Sequence, residues 1–140
     1  MRKYLVAGIF SILISGIVYS CKNAQEIDYS KYLSNGKDLY ITHCQNCHGE
    51  KGEGLGELVP PLTDTVFLKT NKANLACLIK NGSNKGVTIN GKHYEGKMPA
   101  FPQLVSIDVA QVIVYMTNSF GNKQGMYTYE QVANDLTNCP

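Results

Sequence analysis

The chain has 140 residues, of which 44% are hydrophobic and 17% are charged, and its formal net charge is +2. This length and composition suit one packed domain and exclude a mainly disordered chain. A net charge this close to zero is not typical of nucleic-acid-binding proteins, and we expect no nucleic-acid partner.

The N-terminus has the pattern of a secretory leader. Arg2 and Lys3 precede an uncharged apolar run, as in a basic n-region followed by an h-region, so residues 1–20 are predicted to be a cleaved signal peptide. The run ends in "VYSC", which resembles a bacterial lipobox and predicts lipidation of Cys21. An uncleaved anchor is one alternative, because the run approaches the roughly 20 residues that span a bilayer, and a soluble periplasmic form is another. Each reading places the folded domain outside the cytoplasm, and we expect a periplasmic, membrane-anchored lipoprotein.

Charge is unevenly distributed in the rest of the chain. Removing residues 1–20 leaves equal numbers of basic and acidic residues. Within residues 65–97, however, only Glu95 is acidic. The basic residues of this segment are Lys69, Lys72, Lys80, Lys85, Lys92 and Lys97. Such a segment predicts a surface that attracts an acidic partner, and scattered solvated lysines are the alternative.

The folded domain is expected to begin at Ser34. Residues 21–33 are polar without a clear period and are predicted to be a lipidated N-terminus and linker. Ser34 can cap a helix that runs to Cys44. Residues 49–61 contain four glycines and two prolines, which exclude a regular helix or strand. They are therefore predicted to form an irregular loop.

Helical patterns return in the middle of the chain and are interrupted by a turn. Residues 63–70 predict a short helix, and residues 72–82 predict a firmer one that ends at Gly82 in a left-handed conformation. The pair Asn90 and Gly91 is typical of a type I′ hairpin turn between two short strands. We expect this hairpin to form a small flap, since two short strands cannot support a domain.

The strongest helical pattern lies near the C-terminus. Ser106 is predicted to cap a helix with a broad apolar face that ends before Gly121. Thr128 and Gln131 fit a capping box for a last short helix. Residues 34–140 are therefore predicted to form an all-α domain of short helices and long loops, with a small hairpin flap. Long loops in so small a domain suggest that a bound group fills its centre.

The motif "CQNCH" indicates that this group is a c-type haem. Cys44 and Cys47 are spaced to form thioethers with the two vinyl groups of one porphyrin edge, and His48 would follow as the axial ligand of the iron. A thioredoxin-like site would need a βαβ context, and a zinc site would need a second ligand pair, neither of which the sequence offers. A disulfide between the two cysteines is the remaining alternative. His43 is expected to be an incidental surface residue.

A haem that only carries electrons needs a sixth ligand, and a methionine thioether raises its reduction potential. Met98 lies in "GKMPAF", an irregular loop restricted by Pro99, and is the predicted ligand. Met116 lies among apolar helix positions and Met126 in a polar connection, so neither is favoured. His93 is the alternative, and it would give bis-histidine ligation and a lower potential.

The segments "CQNCHGEKGEGLGELVPPL" and "MPAFPQL", followed by "DVAQVIVYMTNSFG", resemble class I monohaem cytochromes c. The resemblance spans residues 34–121 and implies the cytochrome c fold around one covalent haem. It implies that the terminal helices cross at Gly36 and Tyr40. It also implies that the carbonyl of Pro60 or a neighbour accepts a hydrogen bond from the free ring nitrogen of His48.

The C-terminal tail departs from this resemblance. Residues 122–140 add a short helix and a cysteine beyond the usual end of such domains. Cys77 lies on an apolar helix face and is expected either to pair with Cys139 or to remain a buried free thiol. A bond between them would hold the tail against the core and would close a long loop.

Together these features predict an electron-transfer protein and not an enzyme, because no separate catalytic constellation is evident. We expect it to pass electrons between periplasmic or membrane respiratory partners, with an acidic docking surface on a terminal oxidase or reductase. A fixed haem subunit of a larger respiratory complex is the alternative. An enzyme or gas sensor would require that Met98 does not bind the iron.

Overall fold

The computed structural model describes the backbone of residues 2–139 and the side chains of residues 4, 8–10 and 25–139. The predicted lipid attachment at Cys21 and most side chains of the predicted leader lie outside the described residues. Within the described part of the chain, no helix combines the length and the apolar character needed to cross a membrane. The internal contacts divide the chain into two units, Met1–Lys31 and Tyr32–Pro140.

Six helices and one hairpin are formed by the described residues. In chain order they are α1 (Arg2–His43), α2 (Gln45–His48), α3 (Thr65–Thr70), α4 (Lys72–Asn81), β1 (Val87–Ile89), β2 (Lys92–Tyr94), α5 (Ser106–Asn118) and α6 (Tyr129–Leu136). Helices therefore dominate, and the two strands form one small sheet. The predicted all-α class holds in outline, with the predicted hairpin added to it.

Helix α1 begins far earlier than predicted. It starts at Arg2, so Ser34 lies inside the helix and is not its N-cap, and residues 21–33 are helical. The reason is local, because no glycine or proline occurs between Gly16 and Gly36 to interrupt the helix. Polar residues without a hydrophobic period can therefore continue a helix that apolar periodicity alone would not predict.

The hairpin and the end of α4 agree with the sequence. β1 and β2 pair antiparallel, with Val87 opposite Tyr94. Asn90 and Gly91 have φ values of 49° and 77°, the positive pair that a type I′ turn requires. Gly82 ends α4 with a φ of 69°, as predicted. Both predictions are confirmed because a few neighbouring residues determine each conformation.

The two C-terminal helices differ in how well their caps were predicted. α5 begins at Ser106 with Val105 as its N-cap, so the predicted Ser106 cap is wrong. Instead, the Asp108 carboxylate accepts a hydrogen bond from the Val105 N–H at 3.1 Å. In α6 the predicted capping box is confirmed, since the Thr128 N–H donates to the Gln131 side chain at 2.9 Å and the Thr128 hydroxyl accepts from the Gln131 N–H at 3.4 Å.

The predicted helix crossing is also confirmed. Gly36 of α1 lies directly against α5, since a Cβ added there would be 2.0 Å from the Gln111 carbonyl oxygen. One turn later, Tyr40 is 1% exposed and its ring centroid lies 5.3 Å from those of both Tyr115 and Phe120. Only glycine permits this close approach of two backbones, and the aromatic cluster fills the space beside it.

The C-terminal tail packs onto α4 and α5. Val132 of α6 is fully buried, and the ring of Tyr127 is nearly so. The Tyr127 hydroxyl donates to the Asp135 carboxylate within the tail. A disulfide joins Cys77 of α4 to Cys139, with Cα atoms 5.6 Å apart. The tail is thus held by packing, by a hydrogen bond and by a covalent bond.

Candidate functional site

The two predicted attachment cysteines lie where α1 ends and in the short helix α2. The Cys44 N–H donates to the Tyr40 carbonyl at 2.8 Å, and the His48 N–H donates to the Cys44 carbonyl at 2.9 Å. These helical bonds place the two thiols and the imidazole on one short, curved segment. Cys44 and Cys47 are free thiols, so the alternative of a disulfide between them is wrong. Burial raises the pKa of the Cys44 thiol to about 11, with a smaller contribution from Cys47.

His48 is oriented by the loop that follows it. Its Nδ1 lies 3.2 Å from the Pro60 carbonyl oxygen, which confirms the contact that the resemblance implied. Because a carbonyl can only accept, this bond requires the proton on Nδ1 and leaves the lone pair of Nε2 available to a metal. Burial lowers the pKa of His48, and the Pro60 contact opposes that shift only in part. Both the lowered pKa and the proton on Nδ1 favour the neutral imidazole, which is the form that binds a metal.

The glycine-rich loop, residues 49–61, is irregular, as predicted, and hydrogen bonds hold it in place. The Gly54 N–H donates to the His48 carbonyl at 2.8 Å, and the Leu62 N–H donates to the Gly52 carbonyl at 2.7 Å. The Tyr40 hydroxyl donates to the Gly49 carbonyl at 2.6 Å. These bonds join the loop to the cysteine motif, to Tyr40 and to itself, and they hold the Pro60 carbonyl close to the imidazole.

Met98 belongs to a second loop that is fixed to the end of α4. The Met98 N–H donates to the Ser83 carbonyl at 2.9 Å, and the Ser83 N–H donates back to the Met98 carbonyl at 2.8 Å. Gly82 lies so close that a Cβ there would be 2.4 Å from the Met98 carbonyl oxygen. Further along, the Phe101 ring packs 5.6 Å from that of His43, so this predicted surface residue is half-buried.

These loops and α4 enclose a cavity of about 260 Å³ that the predicted site residues share. Cys44, Cys47, His48 and Met98 all line it. Most of its wall is apolar, and α4 contributes Leu75, Leu78 and Ile79. Two free thiols, a neutral imidazole, a thioether and apolar walls are the groups that a covalent haem needs. The donor set and the character of the walls therefore fit a c-type haem.

The other candidate ligands are placed differently. His93 is exposed on the hairpin and its Nδ1 lies 3.1 Å from the Thr88 hydroxyl. Met126 is 36% exposed. Neither belongs to the described residues that line the cavity, whereas Met116, which is buried on α5, does. Among the described methionines, the cavity is thus lined by one from a loop, Met98, and one from the core, Met116.

The lysine-rich segment separates into two groups that the sequence could not distinguish. Lys85 and Lys97 are exposed and line the cavity. Lys80 instead donates to two loop carbonyls at 2.7 Å each. Lys72 lies 4.9 Å from the centroid of the Tyr127 ring, and burial lowers its pKa. Part of the predicted positive surface is thus used within the fold.

Sequence reasoning gave no role to one buried polar residue near the site. Asn122 is 1% exposed, and its side chain donates to the Leu62 carbonyl at 2.8 Å. In the sequence it is only the first residue of the C-terminal tail, residues 122–140. The one available signal was its position directly after Gly121, and this does not reveal a contact sixty residues away along the chain.

Known proteins support this interpretation of the site. Residues 32–116, more than half of the chain, match the family described as cytochrome C oxidase, cbb3-type, subunit III. A cytochrome c-552 from Thermus thermophilus is 24% identical over 93 residues, which cover 64% of this chain and 70% of that protein. A second cytochrome c-552, from a particular strain of the same organism, is also 24% identical, and the match covers 62% of its length. The chain therefore belongs to this cytochrome c family, and its cofactor is a covalently bound c-type haem.

Proposed function

We propose that this protein is an electron carrier of the class I monohaem type and not an enzyme. One observation carries the proposal, namely that the segment with Cys44, Cys47 and His48 and the distant loop with Met98 line a single apolar cavity. In this proposal the two cysteines form the thioethers, and His48 and Met98 are the axial ligands. A haem held in this way supplies an iron that alternates between two oxidation states and so carries one electron.

The chain's own residues prepare the site for that task. The Pro60 carbonyl holds His48 in one tautomer and one orientation. The bridge between Met98 and Ser83 holds the thioether donor near the end of α4. Apolar side chains of α4 exclude water, and so they stabilise the state of lower charge and favour a high reduction potential. A well-fixed ligand set also limits the rearrangement that accompanies each electron transfer.

Replacing Met98 by alanine tests the ligand assignment. We expect a changed absorption spectrum of the oxidised protein, a lower reduction potential and new carbon monoxide binding by the reduced protein, because the sixth position is opened. Met126→Ala is the matched control, since this methionine does not line the cavity. If Met98→Ala matched the wild type in all three measurements, the assignment would be wrong, and His93→Ala would then test the bis-histidine alternative.

Covalent attachment is tested separately at the two cysteines. In Cys44→Ser and Cys47→Ser each variant can form only one thioether, and the double variant can form none. We expect haem to stay with the single variants and to be lost from the double variant on a denaturing gel. Retention of covalent haem by the double variant would contradict the assignment.

We further propose that an acidic redox partner docks at the mouth of the cavity. Lys85 and Lys97 line it, and Leu58 beside them is 58% exposed. Exposed apolar area with a charged border is typical of a transient interface. A terminal oxidase or reductase of a respiratory chain would meet this description, and the family match to an oxidase subunit supports that class.

The docking proposal predicts a specific salt dependence. The Lys85→Glu/Lys97→Glu variant should be oxidised more slowly by membranes that contain the partner, and its rate should depend less on ionic strength. Lys69→Glu/Lys123→Glu makes the same change in net charge at exposed lysines that do not line the cavity. Equal rates for the two double variants would contradict docking at the cavity mouth.

A fixed haem subunit of a larger complex is the second candidate. The observation that favours it is the family match, whose description is that of an oxidase subunit. Purification of the tagged full-length chain from membranes in mild detergent separates the two candidates. Stoichiometric co-purification of other respiratory subunits supports the fixed subunit, and recovery of the chain alone supports a carrier.

For the N-terminus we propose a signal peptide over residues 1–20, a lipid on Cys21, a linker to residue 33 and a haem domain over residues 34–140. The lipid would hold the domain on the periplasmic side of a membrane. The "VYSC" sequence and the general export of cytochrome c domains support this. Mass spectrometry of the mature protein is the test: an acylated N-terminal Cys21 is expected, and a retained Met1 would instead indicate an uncleaved anchor.

A further inference from the structure

Asn122 connects three segments that surround the haem site. Its Nδ2 donates to the Leu62 carbonyl at 2.8 Å and to the Met116 carbonyl at 3.1 Å, and its Oδ1 accepts from the Thr65 hydroxyl at 2.7 Å. With 1% of its surface exposed, the side chain is withdrawn from water. A buried amide whose donor and acceptor are both satisfied fixes its neighbours more strictly than an apolar side chain could.

The bonds of Asn122 lead directly to the proximal histidine. Leu62 is two residues beyond Pro60, whose carbonyl oxygen lies 3.2 Å from His48 Nδ1. The Leu62 N–H is in turn bound to the Gly52 carbonyl at 2.7 Å. The loop segment that carries Pro60 is thus held at Leu62 on both of its backbone polar groups, and Asn122 is the partner that comes from beyond α5.

From this arrangement we propose that Asn122 is a positioning residue for His48. It holds the Pro60 carbonyl against Nδ1, and so it controls how much electron density the imidazole gives to the iron. The inference rests on the proposed role of His48 as an axial ligand. Hydrogen bonding to the outer nitrogen raises the basicity of a metal-bound imidazole. A more basic ligand stabilises the oxidised iron, so loss of the Asn122 hydrogen bonds should raise the reduction potential.

The chain provides a matched control. Asn118 is half-buried and is the last residue of α5, and its Nδ2 donates to the carbonyls of Val114 and Gly125 at 2.8 Å each. Its Oδ1 accepts from the Gly125 N–H at 2.7 Å. Asn118 therefore braces the tail with a comparable number of bonds, none of which reaches the Pro60 loop. Asn118→Ala reports the effect of a lost amide that does not act on the histidine.

The experiment compares full-length, haem-loaded wild type, Asn122→Ala and Asn118→Ala. The reduced protein is measured by NMR, which follows the exchange of the His48 Nδ1 proton with solvent, and the reduction potential is measured by redox titration. For Asn122→Ala we expect proton exchange faster by roughly ten-fold, the effect of losing one hydrogen bond of typical strength, together with a higher potential. Asn118→Ala should match the wild type in both measurements.

Two results would overturn the inference. If Asn122→Ala is less stable but keeps the wild-type proton exchange and reduction potential, Asn122 stabilises the core and does not position His48. If Asn118→Ala changes both as much as Asn122→Ala does, the effect is not specific. Should Asn122→Ala fail to fold, Asn122→Ser keeps a polar side chain that is too short to make the bond to the Leu62 carbonyl, and it is judged by the same criteria.

NMR spectra of the reduced protein distinguish an error in the role of His48 from an error in the role of Asn122. In the reduced wild type, an iron-bound His48 has ring protons with large haem-induced shifts. Absence of these shifts would contradict the role of His48 as a ligand and would remove the basis of the inference. Their presence, with no response to Asn122→Ala, would overturn the inference alone.

Discussion

The disulfide between Cys77 and Cys139 is expected to contribute strongly to stability through the unfolded chain. The two cysteines are separated by 62 residues along the sequence. For a closed loop of that length, the chain-entropy relation gives about 4 kcal/mol at 25 °C. Covalent attachment of the haem does not already restrict this loop in the unfolded chain, because the proposed thioethers at Cys44 and Cys47 lie outside the closed loop.

The folded state should tolerate loss of the bond. Val132 is fully buried under the tail, and the Tyr127 hydroxyl is bound to the Asp135 carboxylate. These contacts do not depend on the sulfur atoms, so we expect Cys77→Ala/Cys139→Ala to fold with an unchanged haem absorption spectrum. The free energy of unfolding should fall by about 4 kcal/mol, mainly because the unfolded chain gains freedom.

Urea denaturation, followed by haem absorption and by far-UV circular dichroism, measures this difference. With a slope of about 2 kcal/mol per molar urea, the midpoint should fall by about 2 M. Reducing the disulfide of the wild type with dithiothreitol, with the iron held in the reduced state in both samples, should reproduce the shift and leave the double variant unchanged. A fall of less than about 1 kcal/mol with a native spectrum would refute the entropic account.

Two further predictions concern local geometry. Gly36→Ala should destabilise the fold by about 1–3 kcal/mol or more, because the new methyl group would overlap the Gln111 carbonyl. Thermal unfolding measures this, and alanine at the exposed neighbouring position, Asn35→Ala, is the control. Thr128→Ala should lower stability by about 0.5–2 kcal/mol through loss of a helix cap, whereas Thr128→Ser should retain the bond to Gln131. An equal loss for alanine and serine would contradict the capping role.

Some features of the site could not be predicted from the sequence because they depend on contacts between distant segments. Two lysines of the 65–97 segment differ in their surroundings, because Lys80 donates to the loop after Met98 whereas Lys85 lines the cavity. Helix α1 was predicted too short for a different reason. Apolar periodicity identifies helices that bury one face, and the polar residues before Ser34 bury little.

Features that depend on neighbouring residues could be predicted from the sequence. The spacing of Cys44, Cys47 and His48 identified the cofactor, and Asn90 with Gly91 identified the turn, because bond geometry over a few residues limits each choice. That Asn122 reaches the loop of His48 emerged only from the folded chain, since folding brings together segments that are distant in sequence. Packing satisfies buried polar groups across such distances, and no local pattern records which partner will be found.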